Sequence, residues 1–213
     1  MMKTIFAAFL FCIAALAFGQ VFDHPLSKEN QPTFQKVRQT IAAHNLQKGD
    51  FSQIKHIGKF NRNLTSSGAF VISKDDGIMW QTKKPFPSTM IVTKSSVVQI
   101  TASGKKSLLQ AGSNATFESF AKIISSVFQG GDDLNEKNFD LYFEGSEKAW
   151  TLGLVPKDKA IHAVAERFVL QGGDVLQSVT MHEKNDDFVR YEFKRVTFPA
   201  RLTDDEKAFF ENQ

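Results

Sequence analysis

Histidines are the first residues to test for chemistry, because imidazole serves as a metal ligand and as a general base near neutral pH. His24, His44, His56, His162 and His182 are spread along the chain, and none has a second His or a Cys at metal-ligand spacing. The acidic doublets Asp75-Asp76, Asp132-Asp133, Asp186-Asp187 and Asp204-Asp205 offer paired carboxylates of the kind acid–base catalysis uses. Each falls in an expected turn or helix start, where Asp bonds nearby backbone donors, so all four read as structural. Gly130-Gly131 and Gly172-Gly173 fit a helix stop and a hairpin turn better than a phosphate cradle. No G-x-S-x-G elbow, H-E-x-x-H helix, P-loop or dinucleotide fingerprint is present. An enzyme reading, such as a small hydrolase, needs a cavity in which His182, Asp186 or Glu166 side chains converge. The expectation is a protein that is not an enzyme, with no catalytic residue, metal or cofactor.

What the composition offers instead is apolar aromatic surface. The chain has 21 phenylalanines against two tyrosines and two tryptophans. Four of the phenylalanines (Phe6, Phe9, Phe11, Phe18) lie in the N-terminal segment, so 17 follow it. Any single Phe reads as core. A surplus of aromatic rings without polar ends also suits an apolar cavity whose contents need no hydrogen bonds.

Met1 to Gly19 reads as a signal peptide: Lys3 gives the positive start, Ile5 to Leu16 a short apolar run, and Ala17-Phe18-Gly19 small residues at the cleavage-specifying positions. A membrane span needs about 20 apolar residues, so cleavage before Gln20 is expected, with an uncleaved anchor as the alternative. Cys12 is the only cysteine, and Phe9-Leu10-Phe11 before it is unlike the small residues that precede a lipidated Cys. The remaining 194 of the 213 residues contain no cysteine, so no disulfide holds them together. No linker or repeat interrupts them, and residues 20–213 read as a single domain. The formal net charge of +3 looks diluted along the chain, without the clustered basic footprint of a nucleic-acid or anionic-surface binder.

The elements that must position this aromatic surface are mostly strands. Pro32 opens an expected amphipathic helix over Thr33 to Gln47, with Phe34, Val37 and Ile41 at helical spacing and Gly49 ending the pattern. A hairpin-rich region succeeds it: Phe51 to Phe60, Ser67 to Ser73, Gly77 to Lys83, Thr89 to Lys94, Val97 to Ala102 and a weak Ser107 to Ala111. Within it Lys74-Asp75-Asp76-Gly77 is a turn, and Pro85 ends a strand because it has no N–H for the ladder. Asn114 caps an expected second helix with Phe117, Phe120, Ala121, Ile124, Val127 and Phe128 on one face, and Gly130-Gly131 stops it. Such a stripe packs into a core or faces a ligand. Alternation then resumes in Phe139 to Phe143 and Trp150 to Leu154, with Pro156 as a stop. Ile161 to Gln171, Val175 to Glu183 and Phe188 to Phe198 read as further strands, and Thr203 and Glu206 form a capping box for a last helix ending near Phe210. Successive antiparallel strands at this spacing argue a large curved sheet or a barrel-like form.

The stretch from Ser67 to Thr93, with Phe51 and Gln53 upstream, resembles the LolA-type outer-membrane lipoprotein carriers. The matching residues are Phe51 and Gln53 of an F-x-Q strand, Gly68 opening the next strand, Trp80 ending an aromatic strand, and Pro85 after it. A W-x-L-x-L-x-P run from Trp150 to Pro156 also matches. The resemblance implies an α+β, mainly antiparallel β fold: an incomplete, unclosed β-barrel with helices covering its concave face. It implies a periplasmic chaperone, acting as a monomer, that shields the acyl chains of lipoproteins. The donor would be an inner-membrane ABC transporter of the Lol type and the receiver an outer-membrane acceptor, with no nucleic acid involved. Ile78 and Trp80 match cavity positions of the family, whereas Phe70, Met90, Val92, Phe117, Phe120 and Ile124 join the expected cavity lining by strand parity and helix stripe. The family's Arg-Pro pair in the turn is replaced by Lys74-Asp75, which makes Lys74 the candidate lid latch and predicts a looser or differently closed lid. The same departure supports the alternative cargo, a glycolipid or polyene-type apolar export product.

Overall fold

The computed structural model describes residues 21–109, 115–129 and 134–211. The strands are β1 (Leu46–Ile57), β2 (Arg62–Ser73), β3 (Gly77–Lys84), β4 (Ser88–Val92), β5 (Val97–Thr101) and β6 (Lys106–Leu108), then β7 (Phe139–Ser146), β8 (Ala149–Pro156), β9 (Arg167–Gly172), β10 (Leu176–His182) and β11 (Phe188–Thr197). They form one antiparallel sheet of 11 strands in the order β6-β5-β4-β3-β2-β1-β11-β10-β9-β8-β7. The terminal strands β6 and β7 do not pair, so the barrel is left unclosed. Among the described residues four α-helices accompany it: α1 (Gln31–Ile41), α2 (Ala115–Gln129), α3 (Lys159–Val164) and α4 (Asp204–Glu211). The signal segment Met1–Gly19, Cys12, Asn114, Gly130-Gly131 and Asp132-Asp133 lie outside the described residues.

Alternation along each strand sorts the side chains to two faces. One face, which α1 and α2 cover, carries the main core from Phe51, Phe70, Ile78, Trp80 and Met90 across to Val179, Met181 and Leu154. On the other face, Val71, Met79 and Ile91 form a second cluster under Phe210 of α4. The capping box of α4 forms as expected: Glu206 N–H donates to Thr203 Oγ1 (3.3 Å), and Thr203 N–H to Glu206 Oε2 (2.8 Å). Burial works against the Glu206 carboxylate, but bonds from Lys48 and Thr203 outweigh it and lower its pKa.

Several boundaries differ from the sequence expectation; β1 ends at Ile57 rather than Phe60, and β2 starts at Arg62 rather than Ser67. Helix α1 ends at Ile41 rather than Gln47, because β1 starts at Leu46, which pairs with Ser73. Gly49 is therefore no helix stop; it lies within β1 opposite Phe70, and a Cβ there would sit 2.9 Å from the Phe70 ring. The expected strand Ile161 to Gln171 is split: Asp158 accepts the N–H groups of Ala160 and Ile161 (2.8 and 3.2 Å), which caps α3, and β9 begins only at Arg167. Nothing in the alternation of residues 161–171 marks that short helix; the Asp after Pro156 does.

The start of the described chain also packs. Val21 is fully buried, Phe22 sets its ring edge-on to Tyr142 (5.3 Å), and both press on Gly153, where a Cβ would meet them. His24 and Leu26 then bond the outer ladder of β7: Phe143 N–H donates to His24 O (2.9 Å) and Leu26 N–H to Leu141 O (2.8 Å). From there the chain crosses to the concave side, where Phe34 of α1 meets Phe143 at 5.7 Å.

Candidate functional site

The concave face is organised around Trp80. Phe51 stacks on it at 4.0 Å, Phe120 of α2 meets it edge-on at 4.9 Å, and Tyr191 of β11 does so at 5.4 Å. Phe70, Phe193 and Phe117 complete the ring of aromatics at 6.0, 6.3 and 6.4 Å. Offset and edge-on contacts of this kind suit the ring quadrupole and add to the burial of apolar area.

Two glycines make the arrangement possible. Phe51 pairs with Gly68 and Phe70 with Gly49 across the β1–β2 ladder. A Cβ on Gly68 would stand 2.9 Å from the Phe51 ring and 1.8 Å from the Gln81 carbonyl oxygen. Each glycine thus leaves the space over which the neighbouring strand's ring lies flat, and Phe51 reaches Trp80. Phe51, Gly68 and Trp80, far apart in sequence, form one packed unit.

All eight residues expected in the cavity lining converge here. Phe70, Ile78, Trp80 and Met90 come from β2 to β4, and Phe117, Phe120 and Ile124 from α2, all buried in one cluster. Val92 packs against it, partly buried. In this conformation the space is filled by α2, whose Phe120 ring lies stacked on Tyr191. The sequence reading left out Phe51, Tyr191, Phe193 and Ile123, which belong to the same cluster. The strand over Phe188 to Phe198 was legible, but not the adjacency of β11 to β1, which pairs Phe51 with Phe193.

Lys74 stands apart from the aromatic cluster. Its Nζ donates to the Ala42 carbonyl at the C-terminal cap of α1, and its N–H donates to Asn45 O (3.0 Å). The ammonium thus ties the β2–β3 turn to the negative end of the α1 dipole through a single carbonyl.

Polar groups gather at the far end of the concave face. Lys55 Nζ lies 2.5 Å from Glu183 and 3.9 Å from Asp187, and Asp187 accepts the Gly58 N–H (2.8 Å). Burial raises the Tyr191 pKa well above the ordinary phenol value, and Glu183 pushes the same way, so the hydroxyl stays protonated. His182 lies on the opposite face from Met181; burial first, and then Arg167, lower its pKa to about 4, and its Nε2 has no partner. The His182 ring lies near Phe188, on which His56 stacks, and Glu166 opposes the effect of Arg167 on it. His24 approaches Glu144, and His44 stacks on Phe198. Among the described residues no three His, Asp or Glu side chains come together as a metal site would require.

The fold is thus an unclosed antiparallel barrel with an aromatic concave face under an amphipathic helix. The chain belongs to the family described as outer membrane lipoprotein carrier protein LolA, whose sequence profile matches residues 43–209. Among solved structures, MucB superposes with a TM-score of 0.50 at 11% identity, over 85% of this chain and 63% of that one. A LolA superfamily protein from Nitrosomonas europaea gives 0.49 at 7% identity, over 84% of this chain and 96% of that one. A DUF1329 family protein from Desulfovibrio piger gives 0.46 at 14% identity, over 83% and 93%. No curated protein matches the sequence.

Proposed function

We propose that this protein is exported by the signal segment Met1–Gly19 and works in the periplasm as a carrier for the acyl chains of lipoproteins. It takes them from an inner-membrane ABC transporter of the Lol type and delivers them to an outer-membrane acceptor. The observation that supports this is the aromatic concave face around Trp80, against which α2 lays a buried stripe that is itself apolar. Moving an alkyl chain out of water gains about 0.8 kcal/mol per CH₂. A multiply acylated anchor therefore crosses an aqueous compartment only when escorted. Loading exchanges one apolar partner for another, because α2 must give up its contacts as the acyl chain gains them. Binding is then tight enough to shield and loose enough to release.

Phe70, Ile78, Trp80, Met90, Val92, Phe117, Phe120 and Ile124 line the loaded cavity in this reading, with Phe51 and Tyr191 added. The test is native mass spectrometry with lipid extraction on protein purified from its own periplasm. Co-purifying acylated lipoprotein is the expected result, and an empty protein with no affinity for acyl chains would sink the proposal. Lys74 supports a second reading. Its single bond to Ala42 holds α1 where the family's arginine fork would hold more, so a differently closed cavity for a glycolipid or polyene-type product fits as well. Recovery of such a lipid without lipoprotein would select that cargo.

A further inference from the structure

The net charge that looks diluted along the sequence is gathered by the fold. Between Phe51 and Phe117 the only acidic residues are Asp75 and Asp76, and both sit in the β2–β3 turn. The pairs Ile57↔Arg62, Thr82↔Ser88 and Ile100↔Lys106 place the β1–β2, β3–β4 and β5–β6 turns together at the other end of these strands. Exposed Lys59, Arg62, Lys83, Lys84 and Lys105 lie at that end, the β1–β2 turn reaching beyond Lys84, which pairs with Ser67; none is ion-paired to a described residue. Beside the β1–β2 turn, Glu183 and Asp187 of the β10–β11 turn are engaged by Lys55 and the Gly58 N–H, and Asp186 lies exposed against Gly58. Lys83 and Lys84 also line one groove with Lys194, Arg195 and Asp50, whose carboxylate pairs with Arg195.

Apolar side chains protrude among these cations. Phe86 is 82% exposed, Phe60 64% and Leu64 56%, three of the five large hydrophobics left exposed among the described residues. Phe86 stands between Pro85 and Pro87, so its backbone has little freedom left to lose on binding. Lys59 lies over the Phe60 ring at 5.7 Å. Leu64, opposite Lys55, continues the parity of Phe70 and Gly68, so the concave face runs out to this rim.

We propose that this strand-end rim docks on an anionic lipid surface. Lysines and arginines near such a surface are attracted from within a Debye length, and aromatic side chains settle at the headgroup level. Neither half suffices alone: exposed cations stay hydrated, and three separate apolar tips bury little area. Together they give a reversible contact that turns the open end of the concave face toward the bilayer. Docking does not depend on the identity of the cargo.

The test is co-sedimentation with vesicles of phosphatidylcholine, with and without phosphatidylglycerol. Binding is expected only with phosphatidylglycerol and is expected to weaken as salt is raised. Lys84→Glu should lower the vesicle affinity by about fivefold or more, from roughly 1 kcal/mol for each charge near the surface. Lys94→Glu makes the same change of charge in the β4–β5 turn at the opposite end and should leave binding unchanged. Phe86→Ser should weaken binding while keeping its salt dependence. Equal losses in the two lysine variants, or no preference for phosphatidylglycerol, would overturn the proposal. So would capture by an acidic protein without any vesicle binding.

Discussion

The Phe120 ring lies stacked on Tyr191, with centroids 3.9 Å apart and 24° between the planes. This contact joins α2 to β11, while the same Phe120 meets Trp80 of β3. One side chain therefore spans strands that sit on either side of β1 and β2 in the sheet.

Phe120→Ala should remove both contacts from a fully buried position. A loss of about 3–5 kcal/mol in unfolding free energy is expected, the usual range for Phe→Ala in a core. Urea denaturation measures it. A loss below about 1 kcal/mol would mean that α2 covers the sheet without stabilising it.

Gly68→Ala should be among the most damaging single-methyl changes in the chain. The new Cβ would stand 1.8 Å from the Gln81 carbonyl, a backbone atom that cannot rotate away, and would also push the Phe51 ring. Overpacking of this kind costs typically 1–3 kcal/mol. Thermal unfolding followed by circular dichroism should show it, and near-ultraviolet dichroism should report the displaced Phe51–Trp80 pair.

Lys74→Ala should free the C-terminal cap of α1. A hydrogen bond to a charged donor contributes about 1.5–3 kcal/mol. Faster amide exchange is expected at Ala42 and Ala43, whose N–H groups donate to Arg38 O and Thr40 O. If Lys74 is the latch, the variant also releases a bound acyl probe faster; unchanged release would remove it from that role.

Acid should destabilise the fold through His182. Its folded pKa, near 4, lies below the ordinary histidine value of 6.5, so between these values the unfolded chain binds the proton and the folded one does not. Stability is therefore full above about pH 6.5 and falls as the pH drops toward 4. Unfolding measured across that window should lose part of its slope in a His182→Gln variant, and an unaltered slope would assign the pH dependence elsewhere.

Local periodicity made much of the site legible. Phe70 declares its face through strand alternation and Phe117, Phe120 and Ile124 theirs through helical spacing, whereas Ile78 and Trp80 are placed by the family resemblance. Phe51 and Gly68 were visible as motif residues, but only the register shows that one lies across the other. Tyr191 and Phe193 escaped because their place beside Phe51 depends on pairing between strands at opposite ends of the chain. Helix α3 was lost among apolar residues that suit a strand equally well, and the basic rim was hidden because its lysines are distant in sequence. Turns that meet only at one end of a sheet leave no local pattern.

The strip of chain from His24 to Leu26 along β7 has a further consequence. A sheet that does not close exposes two rows of unpaired peptide groups, each a template on which an extended chain can add. His24 and Leu26 occupy one row. The other belongs to β6, only three residues long and begun by Lys106. The opening that a half-barrel keeps is thus guarded against edge-to-edge aggregation, at one side by the protein's own backbone and at the other by brevity and charge.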